Sequence, residues 1–158
     1  MDDLVRWLRA QLDEDERIAR AAMEAVGPVP GAAQWRYTAS LTDEGGQYWS
    51  ITTVAPSDTV PTVELVGSGM SGGGVHKETL ARHIAEHDPA RVLREIDAKR
   101  QTIAELEAVE RSMDQASRDR DVARYNAVRA EWVVLCRIVR RDAAVYSDRP
   151  GYREAWRP

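Results

Sequence analysis

The residues richest in potential chemistry are His83, Glu86 and His87, spaced H-x-x-E-H. On a helix, positions four apart share a face, so the two imidazoles would reach one zinc ion while Glu86 served as general base, as in the inverted zinc-hydrolase signature. A catalytic zinc needs a third protein ligand. His76 lies on the same helical face but seven residues earlier. Seven residues of helix rise about 10 Å, so three histidines along one straight helix do not converge. The third ligand would have to be a remote carboxylate, and neither the DEDE run at residues 13–16 nor Glu154 stands out from the other acids. A structural role competes with this. Leu80 and Ile84 share a stripe with both histidines, and Pro89 ends the helix just after His87. A residue before proline is pushed away from helical geometry, and a helix C-terminus favours an imidazole as donor or cation. The expectation is that His83 and His87 border the core at a helix end, with no catalytic residue, metal or cofactor. The alternative is a hydrolase with His83 and His87 on zinc and Glu86 as base.

Other candidate constellations are less complete. Residues 67–72 spell G-x-G-x-x-G after a candidate strand, but a dinucleotide site needs a helix returning to a parallel strand with an acid near its end. Here Asp88-Pro89 leads into another helix, and no G-K-[ST] phosphate loop is present. Residues 118–141 hold seven arginines against three acids. That local excess would suit phosphate or an acidic partner, but no recognition-helix motif accompanies it. Cys136, the single cysteine, falls on an apolar stripe and reads as an inert core thiol. Ser40, Ser50 and Ser57 lack a nucleophile-elbow context.

These residues must be positioned by a helix-rich α+β fold. The chain is 43% hydrophobic and 30% charged, a globular composition. Its length suits one domain, residues 1–158. Residues 2–26 carry Leu4, Leu8, Leu12, Ala19, Ala22 and Val26 at helical spacing, with Asp15 interrupting the stripe and Asp2 or Asp3 as cap. Residues 34–66 change to a two-residue rhythm: Trp35–Leu41, a D-E-G-G turn, residues 47–54, and a third strand over 62–66. A Gly-rich loop over 67–75 follows. Residues 76–146 read as a short helix ending near His87, a long helix opened by Asp88-Pro89, a bend around 112–121, and a last helix over 122–146. The predicted architecture is an N-terminal helix, a small three-stranded antiparallel sheet, a short helix and a long antiparallel helical hairpin. Tyr152 and Trp156 anchor a tail, residues 147–158, that folds back.

Three blocks carry a resemblance: LDEDERIARAA at residues 12–22, HIAEHDPARVLREIDAKR at 83–100, and YSDRPGYREAWRP at 146–158. Together they resemble an actinobacterial and actinophage family of small proteins classed as a domain of unknown function. The resemblance spans most of the chain and implies no activity. It also implies that the position of Glu86 is open in the family, often arginine, which counts against Glu86 as a general base. The segment TTVAPSDTVPTVELVGSGMSGGG looks longer than the family's usual connection.

The functional expectation is a non-enzymatic cytoplasmic protein that works through contact with a protein partner, as an accessory factor of an actinobacterium or its phage. Trp35 and Trp49, with Arg137, Arg140 and Arg141, are the candidate contact residues, because tryptophan and arginine dominate interface energetics. Long helices with broad stripes allow a homodimer as well as an internal hairpin. A net charge of −4 argues against a generic nucleic-acid binder, although the arginine-rich last helix keeps that as a further alternative. The acidic, charge-interrupted start does not resemble a signal peptide, and no apolar run is long enough to span a membrane.

Overall fold

The computed structural model describes residues 1–41, 46–57, 60, 62–66 and 75–158. Residues 43–45 of the expected D-E-G-G turn and the Gly-rich loop with its G-x-G-x-x-G match, residues 67–74, lie outside the described residues. The order is helix α1 (Asp2–Val26), strands β1 (Trp35–Leu41), β2 (Gln47–Thr53) and β3 (Glu64–Val66), then helices α2 (Glu78–Glu86), α3 (Pro89–Arg118) and α4 (Val122–Ala144), with a short 3-10 turn at Glu154–Trp156. The strands form an antiparallel sheet in the order β1-β2-β3. Two compact units divide the chain: Met1–Glu14 with Glu95–Pro158, and Asp15–Arg94.

In the first unit, Leu4, Val5, Leu8 and Leu12 of α1 are buried, as are Ile96, Ile103, Leu106 and Val109 of α3 and Leu135, Cys136, Val139 and Ala143 of α4. Each fully buried aliphatic side chain contributes about 1.5–3 kcal/mol through removal from water. Asp2 and Asp3 fall inside the first turn of α1, where carboxylates complement the positive helix end. Neither is the cap expected from sequence, since Leu4 and Val5 donate their N–H groups to the carbonyl of Met1. The bend expected around residues 112–121 is narrower in the structure. α3 stays helical to Arg118 because Ala116 is fully buried there. The chain then reverses at residues 119–121: Arg120 takes a left-handed φ of 57°, its N–H donates to Ser117 O, and the Asp121 N–H donates to Ala116 O. This is the hydrogen-bond pattern of a glycine helix stop made with an arginine. Asp121 immediately caps α4, its carboxylate accepting from the Arg124 N–H at 2.9 Å. The tail packs on α1 within this unit. Trp7, Tyr152 and Trp156 form an aromatic cluster with centroids 5.4–6.0 Å apart, and the Trp7 indole donates to Pro150 O.

In the second unit, the pairs Trp35↔Thr53, Tyr37↔Ile51 and Ala39↔Trp49 put alternate residues of β1 and β2 on one face. α2 lies on it, and Ile51, Val75 and Ala81 form a core joined by Trp35, Tyr37, Trp49, Leu65 and Ile84. Gly31, in the turn before β1, has φ +84°, and a Cβ there would lie 1.8 Å from Val54 O; no side chain fits. The junction of α2 and α3 is locked to β1 by one carboxylate. Asp88 Oδ1 accepts from the Arg91 N–H at 2.7 Å, capping α3, while Oδ2 accepts from the Trp35 N–H at 3.2 Å. The Ala90 N–H, another donor left open by the helix start, donates to Ala33 O at 2.9 Å.

Two substitutions test these joints by urea denaturation. Asp88→Ala removes a cap and strands the Trp35 N–H, so a loss of about 2–4 kcal/mol is expected. Arg120→Gly relieves the left-handed strain and is expected to gain about 1 kcal/mol.

Candidate partner-binding site

α2 carries the histidine pair but does not turn it inward. Its buried residues are Ala81 and Ala85, with Ile84 partly buried, while His83, His87 and Leu80 are exposed, Leu80 by 52%. The expectation that both histidines border the core is therefore corrected. Two alanines four apart let the helix lie close on the sheet, and the face rotates by one residue from the Leu80–His83–Ile84–His87 stripe. The imidazoles still interact, with ring centroids 4.2 Å apart. The His83 carbonyl accepts from Nδ1 of His87 at 2.8 Å and also from the His87 N–H at 3.2 Å. That bond places the proton on Nδ1 and leaves Nε2 as the lone-pair nitrogen of the neutral ring. His87 is the C-terminal cap residue of α2, with φ −106°. Glu86 is exposed and lies 3.8 Å from the Arg82 guanidinium. Among the described residues, no group of three His, Cys, Asp or Glu side chains is arranged to hold a metal ion.

What the structure places beside His87 is an apolar cleft of about 330 Å³ inside the second unit. Asp15, Ile18, Ala19 and Ala22 of α1 form one wall; Trp35, His87, Pro89 and Val92 form the other. Each wall has a sequence cause. α1 keeps its apolar stripe past Leu12, with small residues at Ala19 and Ala22 that leave space. Asp88 sets both Trp35 and Pro89, since it bonds the Trp35 N–H and starts α3 at Pro89. The indole N–H of Trp35 is taken by Ala32 O at 3.0 Å, which fixes the ring. Ile18 is 52% exposed at the cleft. The result is a concave apolar surface with two polar side chains, Asp15 and His87, a composition typical of binding sites.

The remaining candidates separate. Trp49 is half-buried against Ile51 and Val75, and its N–H and C=O both bond to Val75, so it packs the sheet. Arg137, Arg140 and Arg141 are exposed on α4. Arg140 lines a cleft of about 490 Å³ in the first unit, shared with Asp2, Asp3, Trp132, Arg153 and Trp156. Asp3 takes up Arg153 there at 3.1 Å, so the cationic field is partly cancelled. The Trp132 indole donates to Glu110 at 3.1 Å. Burial pushes the Cys136 thiol up, which disfavours the reactive thiolate. Burial also raises the Asp142 carboxyl, an effect that Lys99 partly offsets. The residue that sequence reasoning underused is Asp15. An acid breaking an otherwise apolar stripe was the visible signal that α1 borders an accessible cleft there rather than a closed core.

Fold and site together define a small α+β protein with a helical pair, a three-stranded sheet and an open apolar cleft. The chain belongs to a family described as a family of unknown function (DUF6221), whose model matches residues 1–158. No curated protein and no solved structure matches it.

Protein purified without a histidine tag is expected to carry no stoichiometric zinc by elemental analysis. One zinc per chain that disappears in His83→Ala would restore the hydrolase alternative.

Proposed function

We propose that this protein is a non-enzymatic binding protein that takes an apolar side chain of a protein partner into the cleft formed by α1, Trp35 and the α2–α3 junction. One observation carries the reading: a cleft of about 330 Å³ is walled by Ile18, Ala19, Ala22, Trp35, Pro89 and Val92. A fixed indole beside an open apolar pocket loses little side-chain entropy on binding and removes much area from water. His87 and Asp15 supply the polar groups that would orient the incoming chain. The setting we propose is the cytoplasm of an actinobacterium or its phage, from the likeness of residues 12–22, 83–100 and 146–158 to that family. No helix among the described residues is long and apolar enough to cross a membrane.

Nothing in the cleft resembles a set of acid, base and nucleophile within mutual reach, which is why binding is preferred over catalysis. The arginines of α4 would support nucleic-acid binding only if the affinity fell steeply with salt.

A photo-cross-linking amino acid at position 18 provides the test in host lysate, with the same probe at the exposed position 80 as control. A specific adduct at position 18 is expected, and Ala22→Trp, which fills the cleft, is expected to reduce it about tenfold or more, the scale of a lost anchor. An adduct indifferent to Ala22→Trp, or equal at both positions, contradicts the proposal.

A further inference from the structure

The backbone hydrogen bonds of β1 fix which of its polar groups face away from the sheet. The Trp35 N–H donates to Asp88 and the Gln34 C=O accepts from the Val54 N–H. Backbone direction alternates along a strand. Arg36, Thr38 and Ser40 therefore bond to β2, and Tyr37, Ala39 and Leu41 point their N–H and C=O groups outward. β2 agrees independently: the N–H groups of Trp49 and Thr53 go to Val75 and Val63 on the far side, leaving Ser50 and Thr52 for their register partners Thr38 and Arg36. β1 is the end strand of the three. Among the described residues, no chain segment pairs with its outer edge.

Exposed edges are normally blunted by lysine, proline, inward charge or a bulge. From Tyr37 to Leu41 the sequence is YTASL, with none of these, and the register to β2 runs without a shift. Leu41 is 74% exposed at the end of this edge. Asp88 caps the first outward donor, that of Trp35, and among the described residues nothing pairs with the edge beyond it over about 14 Å.

We infer that β1 pairs with β1 of a second copy of this chain, antiparallel about a two-fold axis at Ala39. The edge is complementary to itself in that register. Ala39 faces Ala39 of the other copy, and Tyr37 faces Leu41 in both directions. Each outward residue gives one donor and one acceptor, so every outward group from Tyr37 to Leu41 is matched. Directly opposed side chains lie about 4.5–5.5 Å apart at Cβ. Leu41 thus gains the Tyr37 ring of its mate as a cover, and alanine at the axis leaves room for close approach. No like charges are opposed within this stretch. The two sheets become one continuous six-stranded sheet. A charged or shape-mismatched edge would favour a foreign extended peptide; an uncharged, self-matching one favours the second copy. This inference stands apart from the α1–Trp35 cleft and needs nothing from it.

Sedimentation equilibrium and light scattering up to about 100 µM, the range expected of a small interface, are expected to show a species of twice the 17.7 kDa chain mass. Leu41→Lys and Ala39→Pro are expected to weaken association at least about tenfold. Both should keep the monomer folded by circular dichroism, because Leu41 is exposed and the Ala39 N–H serves no bond to β2. Register is read by cysteine. Ala39→Cys should oxidise to a covalent dimer, its Cα atoms being about 5.5 Å apart in a hydrogen-bonded pair. Leu41→Cys should not, since its two copies would be about 14 Å apart along the strands. A monomer throughout the concentration range overturns the inference. So does a dimer that survives both edge variants, or a monomer that instead captures extended peptides along β1.

Discussion

A single carboxylate, Asp88, holds the second unit in register. Its two oxygens accept from two different elements, one from the Arg91 N–H at the start of α3 and one from the Trp35 N–H at the start of β1. Helix starts and strand ends both expose backbone donors, and both need partners when partly buried. Satisfying them with one side chain fixes the strand against the helix start at a separation of one hydrogen-bond length on each side. The Ala90 N–H to Ala33 O bond adds a second tie beside it. One wall of the cleft inherits its position from these bonds, with Trp35 held by its backbone and Pro89 set as the first residue of α3 beside His87, where α2 stops; the other wall is α1.

Much of this was legible in the sequence because local rules agreed with the fold. The aspartate-proline step marks the end of one helix and the start of another, and the structure places α3 from Pro89. Alternation of aromatic and polar residues located β1 and β2, and the apolar stripe of α1 named Leu4, Leu8, Leu12 and Ala19, all buried. The failures have specific causes. α2 is short, and helical spacing alone offered two faces, one with larger apolar residues and one with alanines. Close packing on the sheet chose the small face, as Ala81 and Ala85 show. The reversal at Arg120 was hidden because the motif ordinarily carries glycine. The pairing of Asp13 with Arg100 and of Arg9 with Glu107 links positions far apart in the chain, which spacing rules do not reach. These exposed pairs contribute little stability in any case.

The H-x-x-E-H spacing also illustrates what a motif omits. Its residues do share a helix, and the two rings do approach each other. Yet ligation is a property of convergence in three dimensions, and the donor that one ring needs for orientation is spent on the helix's own backbone. The bond from His87 Nδ1 to His83 O adds a second donor to a carbonyl that already accepts from the His87 N–H in the last turn of α2. The same residue lines the cleft together with Pro89. Membership in a family of unknown function covers the whole chain, so the cleft, the capped junction and the open edge of β1 are the features that comparative work on other members should examine.

The lone thiol of Cys136 has a further consequence. It is 7% exposed on α4 and packed within the helical pair. With no other sulfhydryl in the chain, a thiol-alkylating reagent reports on this one position, and its reaction speeds up when α4 transiently opens there. Slowing of the labelling relative to an exposed thiol then tracks how well the helical pair protects that position. The wild-type molecule therefore carries its own clock for breathing of the helical pair.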